Sequence, residues 1–586
     1  MRGNKISRWK AIRLKLYINT HTIAAIIIVA LAVAFRIILT ALTVPEVNGD
    51  EGTMGLEAMH IAFQGQHPVF LYGQNYMGVL EAYIAAFFFR LFGVSVFTLR
   101  IGMVLMFALF LVSMYLLTSL LYTRRLALVT IGLLGLGAAS DVSIQQLRAV
   151  GGAIETLLFG SLVLLLACWL ALTLSQIPSK RQMKLRLIAY GCWGLSTGIG
   201  LWTHVLVLPF VLAAGLILAL FCYRELRSAA PLVLLLCLVI GLLPFILYNI
   251  HSSPPGSTII QEIGMQKSTV IAQEFSQHLL RKRVIGTSLW SLPLATGLTP
   301  ACALNDLPYY GGLSSATFPC IIIHGSWSLG YLVLLAIAIL LAVGALWKFW
   351  LLRRKQAKGW TEDEREAVII HFSRLMILMS AALTLALYVE SPLSGLKPYS
   401  TRYLVGLLIA IPAVLWPLWR GAGLEKVILL PQVMTKHTVY IKGGMLLLIA
   451  VTILAGTVAT FTKLPAIEAD NQQQEALVHD LLRIGATHVY TDYWTGYRVM
   501  IQSQEQIICA IPPILYFYGN EDRYAPYRTI VSSDPRAAYL FTLDASVVKE
   551  FTRQIAHLSK HYKQFVFDGY VVFQPVTAGS ASTIHS

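Results

Sequence analysis

Apolar runs, most of them near the length of a bilayer-crossing helix, recur along this chain and constrain it more than any other feature. A helix needs about 20 apolar residues to cross a hydrocarbon core of about 30 Å. Eleven runs qualify: 22–44, 98–122, 125–140, 152–176, 187–202, 205–223, 230–250, 326–350, 368–389, 402–419 and 438–461, the third and fifth being short. Composition agrees, because 56% hydrophobic and 13% charged residues over 586 positions are too apolar for a string of soluble domains. The expected fold is a polytopic α-helical membrane protein.

The formal charge of +16 does not gather on one soluble module, which argues against a nucleic-acid partner. Lys and Arg sit instead in short runs between apolar segments. With the N-terminus cytoplasmic, the inner connections contain Arg124 and Arg125, then Lys180 to Arg186, Arg224 and Arg227, Lys348 to Lys358, and Arg420 to Lys436. The outer connections are poorer in Lys and Arg, as the positive-inside rule requires. The basic start MRGNKISRWKAIRLK resembles a signal peptide, but the run after it is too long and has no cleavage site, so it reads as a retained first span. The odd span count puts the C-terminus outside. EAYIAAFFFRLFG, from Glu81 to Gly93, is short and interrupted by Arg90, and reads as an interfacial helix.

Two units follow: a membrane module over 1–461, with outer loops at 45–97 and 251–325, and an extracytoplasmic tail over 462–586. The larger loop contains an amphipathic pattern, IIQEIGMQKSTVIAQEFSQHLLRKR. The tail is polar, with a helical pattern ending at Gly485, a β-rich THVYTDYW, a helix near 547–558 and a last strand in YVVFQPV, which together read as a small α/β domain. The short inner loops contain no phosphate-binding glycine loop. That argues against an ATP-driven transporter within this chain and against an enzyme fed by a cytoplasmic nucleotide sugar.

Polar residues concentrate outside. VNGDEGTMGLEAMHIAFQGQHPVFLYGQNYMGVLE, directly after the first span, contains Asp50, Glu51, His60, His67, Gln74, Asn75, Tyr76 and Glu81. A carboxylate such as Asp50 at the bilayer edge can accept a proton from an attacking hydroxyl; it can equally be a solvated loop residue. Asp50 and Glu81, with His60 or His67, are also candidate ligands for a divalent cation, Mg or Mn, although their spacing matches no strong metal motif. ESPLSGLKPYSTRY, from Glu390 to Tyr403, places Lys397 and Arg402 in an outer loop; Arg402 suits either a phosphate oxygen or snorkelling to headgroups. In QQLRAVGGAIETLLFG, Arg148 and Glu155 lie seven residues apart on one helix face, to pair with each other or to share a polar cavity. His204, beside Trp202, marks a further outer interface. Cys302 and Cys320 share one outer loop and are expected to form a disulfide, with free thiols or a pairing through Cys509 as alternatives. In the tail, Tyr493, Trp494 and Tyr497 suit a saccharide-stacking surface or ordinary core packing.

Taken in order, the Gly49-Asp50-Glu51 loop, YGQNYMGVLEAYIAAFFFRLFG, GGAIETLLFGSLVLLLA, GLWTHVLVLPF, LLPFILYNI and TRYLVGLLIAIPAVL resemble the glycosyltransferase-C superfamily. The similarity covers most of residues 20 to 420. Its nearest branch comprises bacterial membrane enzymes related to protein O-mannosyltransferases and the lipid A aminoarabinose transferase. The resemblance implies transfer of a hexose or pentose from a polyprenyl-phosphate donor to a glycan, lipid or protein acceptor outside the cell membrane. It maps the first-loop catalytic Asp onto Asp50, with Glu51 beside it. Arg402 matches the basic residue at the donor phosphate, supported by Tyr403. Where several relatives carry a Lys followed by prolines, this chain has Gln74, Asn75 and Tyr76, so phosphate contact there would fall to Lys397, Arg402 or Arg148. His60, Gln74, Asn75, Tyr76, Glu81, Glu155, His204 and Glu390 are the expected cavity residues. Direct displacement at the anomeric carbon would invert its configuration. A transporter or flippase of envelope glycan precursors is the rival class, disfavoured because the mid-span regions are mostly apolar and unrepeated.

Overall fold

The computed structural model describes residues 19–137, 146–174, 179–252, 257–258, 276–300, 317–355, 361–391, 394–395, 398–419, 432–513, 522–543, 548–549, 551–553 and 561–576. Within the described residues, each of the eleven expected spans falls mainly on helical turns. In chain order the helices are α1 (Thr20–Ala41), α2 (Gly49–Met59), α3 (Leu80–Phe92), α4 (Val96–Leu121), α5 (Arg124–Leu136), α6 (Ala153–Leu172), α7 (Lys180–Thr203), α8 (Leu208–Phe221), α9 (Ala230–His251), α10 (Ser276–Gly286), α11 (Thr317–Lys355) and α12 (Glu362–Glu390). A tight 3₁₀ stretch, Pro398–Ala410, continues as helical turns to Leu418. After it come α13 (Gln432–Thr462) and α14 (Leu464–Arg483).

Among the described residues, eight helices are long and apolar enough to cross a membrane. The other three fall short for separate reasons. Helices α5 and α8 have 13 and 14 residues, roughly 20 Å at 1.5 Å per residue, and α7 opens on the basic run KRQMKLR. Helix α3 is amphipathic, with Phe87, Leu91 and Phe92 exposed and Glu81 and Ala85 buried, as expected of an interfacial helix.

Two devices hold the module together. Gly194 and Gly198 on α7 face α9 so closely that a Cβ there would come within 2.2 and 2.4 Å of the Leu234 and Leu238 carbonyl oxygens, the small-residue packing that membrane helices use where lipid gives no hydrophobic drive. In mid-α1, Arg36 is fully buried: it donates to the Gly135 carbonyl and to Gln146 Oε1 (2.7 Å), and lies 4.1 Å over the Phe107 ring. A cation within a span is tolerated where it faces protein, and Arg36 pins α1 to α4 and α5.

The C-terminal residues form a five-stranded sheet of order β2-β1-β3-β5-β4 from β1 (His488–Tyr490), β2 (Ile508–Ala510), β3 (Ala538–Thr542), β4 (Tyr562–Phe567) and β5 (Tyr570–Pro575). Strand β1 runs parallel to β2 and β3, while β3–β5 and β5–β4 are antiparallel. Helices α15 (Tyr493–Gln502) and α16 (Ala525–Ser533) connect the strands. The helix expected near 547–558 lies largely outside the described residues. The helical stretch Val439–Arg483 has 45 residues, roughly twice the length a bilayer requires, and so leads the chain out of the membrane into this sheet.

Candidate active site

Asn48 starts α2 by accepting the Glu51 N–H on its side chain (3.0 Å), which puts both acids in the first turn at the favourable end of the helix dipole. Neighbours on a helix point about 100° apart, so the two carboxylates face different surroundings. Glu51 turns inward. Its oxygens take Nε and Nη2 of Arg100 at 2.7 and 2.6 Å, one also accepts Ala149 N–H at 3.1 Å, and both side chains of the pair are fully buried. This closed ion pair ties α2 to α4. The expectation of an adjacent catalytic pair is thus not matched by geometry: Glu51 does not share the surroundings of Asp50.

Asp50 turns the other way, towards polar side chains, and stays 13% exposed. The Tyr493 hydroxyl donates to its Oδ1 at 2.7 Å, and Arg402 Nη1 lies 3.6 Å from its Oδ2. Arg402 Nη2 also donates to the Tyr403 hydroxyl (3.3 Å). The segment presenting Arg402 is anchored by Tyr388, whose hydroxyl donates to Ser291 Oγ (2.8 Å), lies 2.7 Å from Ser400 Oγ and accepts Gly395 N–H (3.1 Å). His204 packs beside Tyr403, with ring centres 6.3 Å apart. Burial, with the Arg402 guanidinium second, pushes the His204 imidazole down to about 4, so it is neutral.

The loop from Phe70 to Gly78 is a small hairpin, closed by a bridge between those residues and by Leu71 N–H on the Met77 carbonyl (2.9 Å). Tyr76, on this hairpin, is raised by burial first and then by Tyr403, against the opposing charges of Arg402 and Arg523. The Asn75 carbonyl accepts the Thr258 hydroxyl, and Gln74 meets Arg523.

Glu81 lies elsewhere. It is buried, accepts Gly151 N–H at 3.0 Å, and is held well above the usual carboxylate range by burial first and then by the carboxyl of Glu155. Glu155 therefore meets Glu81 and not Arg148, which donates to the Glu46 carbonyl at 2.5 Å. The Gly-Gly that precedes Glu155 has a clear purpose. Gly151 and Gly152 have φ of +78° and +82°, and a Cβ would come within 2.4 Å of Met77 Sδ and 2.3 Å of His204 Cδ2 respectively.

Asp50 and Glu81 thus have separate partners, and among the described residues no group of three or more His, Cys, Asp or Glu side chains could hold a metal ion. The suggested Mg or Mn ligands do not converge. His60 is fully buried in a junction with the C-terminal domain, with Nδ1 2.8 Å from the Tyr72 hydroxyl and Nε2 2.8 and 2.9 Å from Glu505 Oε1 and the Tyr527 hydroxyl. His67 and Glu390 are exposed, and the Glu390 carbonyl accepts from Arg283 Nη1 (3.3 Å). Lys397 and Cys302 lie outside the described residues; Cys320 is disulfide-bonded.

Three residues at or around the Asp50 site escape a linear reading: Arg100, Tyr493 as the Asp50 partner, and Arg523. One signal was available for the second. Gly49, Gly52 and Gly55 form a stripe on α2 where a Cβ would come within 3.0 Å of the Tyr493 ring, 2.4 Å of the Tyr497 carbonyl oxygen and 2.6 Å of Ile501 Cδ1. That spacing marks a face pressed against another helix, here α15.

No family model matches the chain, and no curated protein matches it by sequence. Among solved structures it is similar to ArnT from Cupriavidus metallidurans bound to undecaprenyl phosphate, at 14% identity and a TM-score of 0.48 over 94% of this chain and 98% of that one. It is also similar to the Archaeoglobus fulgidus oligosaccharyltransferase in its apo form, at 14% identity and a TM-score of 0.44 over 96% and 75% of the two chains.

Proposed function

We propose that this chain is a membrane glycosyltransferase that moves a sugar from a polyprenyl-phosphate donor to an acceptor hydroxyl on the extracytoplasmic face. The observation that carries this reading is the pairing of a carboxylate and a guanidinium: Asp50 3.6 Å from Arg402, with Tyr493 at 2.7 Å on the other carboxylate oxygen. In the proposed step the acceptor oxygen attacks the anomeric carbon and its proton passes to Asp50. The bond from that carbon to the phosphate oxygen breaks with its electron pair, polyprenyl phosphate leaves, and the configuration inverts. Arg402 stabilises the charge that grows on the phosphate, as a preorganised cation does in a site shielded from water. Glu51 acts as scaffold through Arg100.

A lipid-linked donor also suits the surroundings. An apolar cavity of about 400 Å³, lined by Leu133, Trp327, Leu334, Val414 and Leu448 among others, includes Ile411 of the helical segment that begins beside Arg402. Along a 3₁₀ rise of about 2 Å per residue, Arg402 and Ile411 are separated by roughly 18 Å, a distance a prenyl chain covers easily.

Cells lacking the gene, complemented with wild type or Asp50→Asn, test the reading by mass spectrometry of envelope glycans and glycolipids. One sugar modification should vanish in the deletion, return with wild type, and stay absent with Asp50→Asn present at normal level in the membrane. Restoration by Asp50→Asn would overturn the proposed base.

A further inference from the structure

The side chains around Asp50 come from both parts of the chain. Arg523 comes from the C-terminal domain, and its backbone is fixed on both sides. Asp522 Oδ1 accepts Ile511 N–H at 2.9 Å, while Tyr524 gives its own N–H to the Tyr497 hydroxyl (2.9 Å) and packs its ring, tilted, with centres 4.8 and 4.7 Å from those of His60 and Tyr72. The guanidinium is thereby delivered to the tip of the first-loop hairpin. Nη1 donates to the Gly73 carbonyl at 3.2 Å. With the Gln74 amide turned so that its oxygen faces this donor, the orientation its neighbours require, that oxygen accepts from Nη2 and Nη1 at 2.8 and 3.0 Å. The same guanidinium lies 5.1 Å from the centre of the Tyr493 ring, whose hydroxyl holds Asp50. The charges of Arg402 and Arg523 both act on the Tyr76 phenol, and that of Arg523 on Tyr493. Five side chains, Asp50, Tyr76, Arg402, Tyr493 and Arg523, therefore belong to one electrostatic cluster.

We infer that Arg523 is a second anion-binding position of this cluster, so that the leaving phosphate is held between Arg402 from the membrane module and Arg523 from the C-terminal domain. The inference rests on the proposed lipid-phosphate donor. Its physical basis is charge: as the sugar departs, the phosphate gains a full negative charge. A planar guanidinium already oriented by Gln74 and Gly73 meets that charge with little ordering to do. Gln74 itself is neutral, so the hairpin positions the cation without supplying one. The C-terminal domain is on this account a working wall of the donor site.

The test is binding of a sugar-free polyprenyl phosphate to the full-length protein in phosphatidylcholine nanodiscs, followed by the ligand-induced rise in melting temperature across a concentration series. Arg523→Gln keeps an N–H for the Gly73 carbonyl and loses the charge; it should weaken binding at least tenfold while its ligand-free melting temperature stays near wild type. Arg523→Gln with Gln74→Lys returns a cation to the same place and should recover most of the loss, whereas Arg523→Lys should stay within a few-fold of wild type. Gln74→Lys alone, which leaves every native contact of the C-terminal domain with α2 in place, should bind more tightly. Wild-type affinity in Arg523→Gln, or unchanged affinity in Gln74→Lys, would assign Arg523 to clamping the hairpin and overturn the inference. Failure of the wild type to bind at all would instead remove the donor reading on which it stands.

Discussion

A carboxyl group is only as useful as the surroundings that decide its charge, and the acids of the first loop meet three different fates. Asp50 is hydrogen-bonded at one oxygen and ion-paired at the other, with its side chain 13% exposed; Glu51 is sealed against Arg100; Glu81 is buried against a second carboxyl group. The last case predicts a pH dependence. Glu81 is held well above its ordinary value of 4.5 in the folded protein, so the folded state keeps a proton that the unfolded chain releases. The stability contributed by its neutral form is therefore complete below 4.5 and is lost as pH rises towards the folded value. Glu81→Gln cannot ionise, yet can still accept from Gly151. It should melt above wild type at pH 8, and the two curves should converge near pH 5. A variant that melts below wild type throughout this range would show that Glu81 is not held protonated in the folded protein.

Between elements, the closest contact is the glycine face of α2 on α15, and it makes a graded prediction. A methyl group on Gly52 meets the Tyr497 backbone oxygen at 2.4 Å, which cannot swing aside, whereas on Gly55 it meets Ile501 Cδ1 at 2.6 Å, the mobile end of a side chain. Gly52→Ala should therefore cost about 1–3 kcal/mol and make the junction between the two parts more sensitive to limited proteolysis. Gly55→Ala should cost less and be largely repaired by Ile501→Val; equal damage from the two glycines would contradict the seam. This junction also shows what the sequence withheld. Spans were legible because each is local: twenty apolar residues declare themselves without reference to a partner. Arg402 and Asp50 were singled out by residue type and position beside a span, and the structure pairs them. Tyr493 and Arg523 were not, since each reaches the cluster across more than 400 positions of chain, and nothing in TDYWTGYR or EDRYAPYR indicates which surface it will cover. Glu51 misled for the same reason, because its partner Arg100 lies in another helix and a lone acidic pair reads the same whether solvated or sealed.

For the whole molecule, the bond between Tyr493 and Asp50 couples topology to chemistry. The first loop and the C-terminal domain must lie on one side of the membrane, whichever side that is, because a 2.7 Å hydrogen bond spans them. The distribution of Lys and Arg argues for the outer side, and a single pair of cysteine substitutions decides it. Arg483, at the end of α14, has a side chain 62% exposed, and Arg125, at the start of α5, is also exposed. In a background without the native reactive thiols, a membrane-impermeant maleimide should label Arg483→Cys in intact spheroplasts and Arg125→Cys only after permeabilisation. The opposite pattern would move Asp50, Arg402 and Arg523 together to the cytoplasmic face. A donor delivered outside would then be out of reach, and the proposed transfer would fail for reasons of position before any question of mechanism arose.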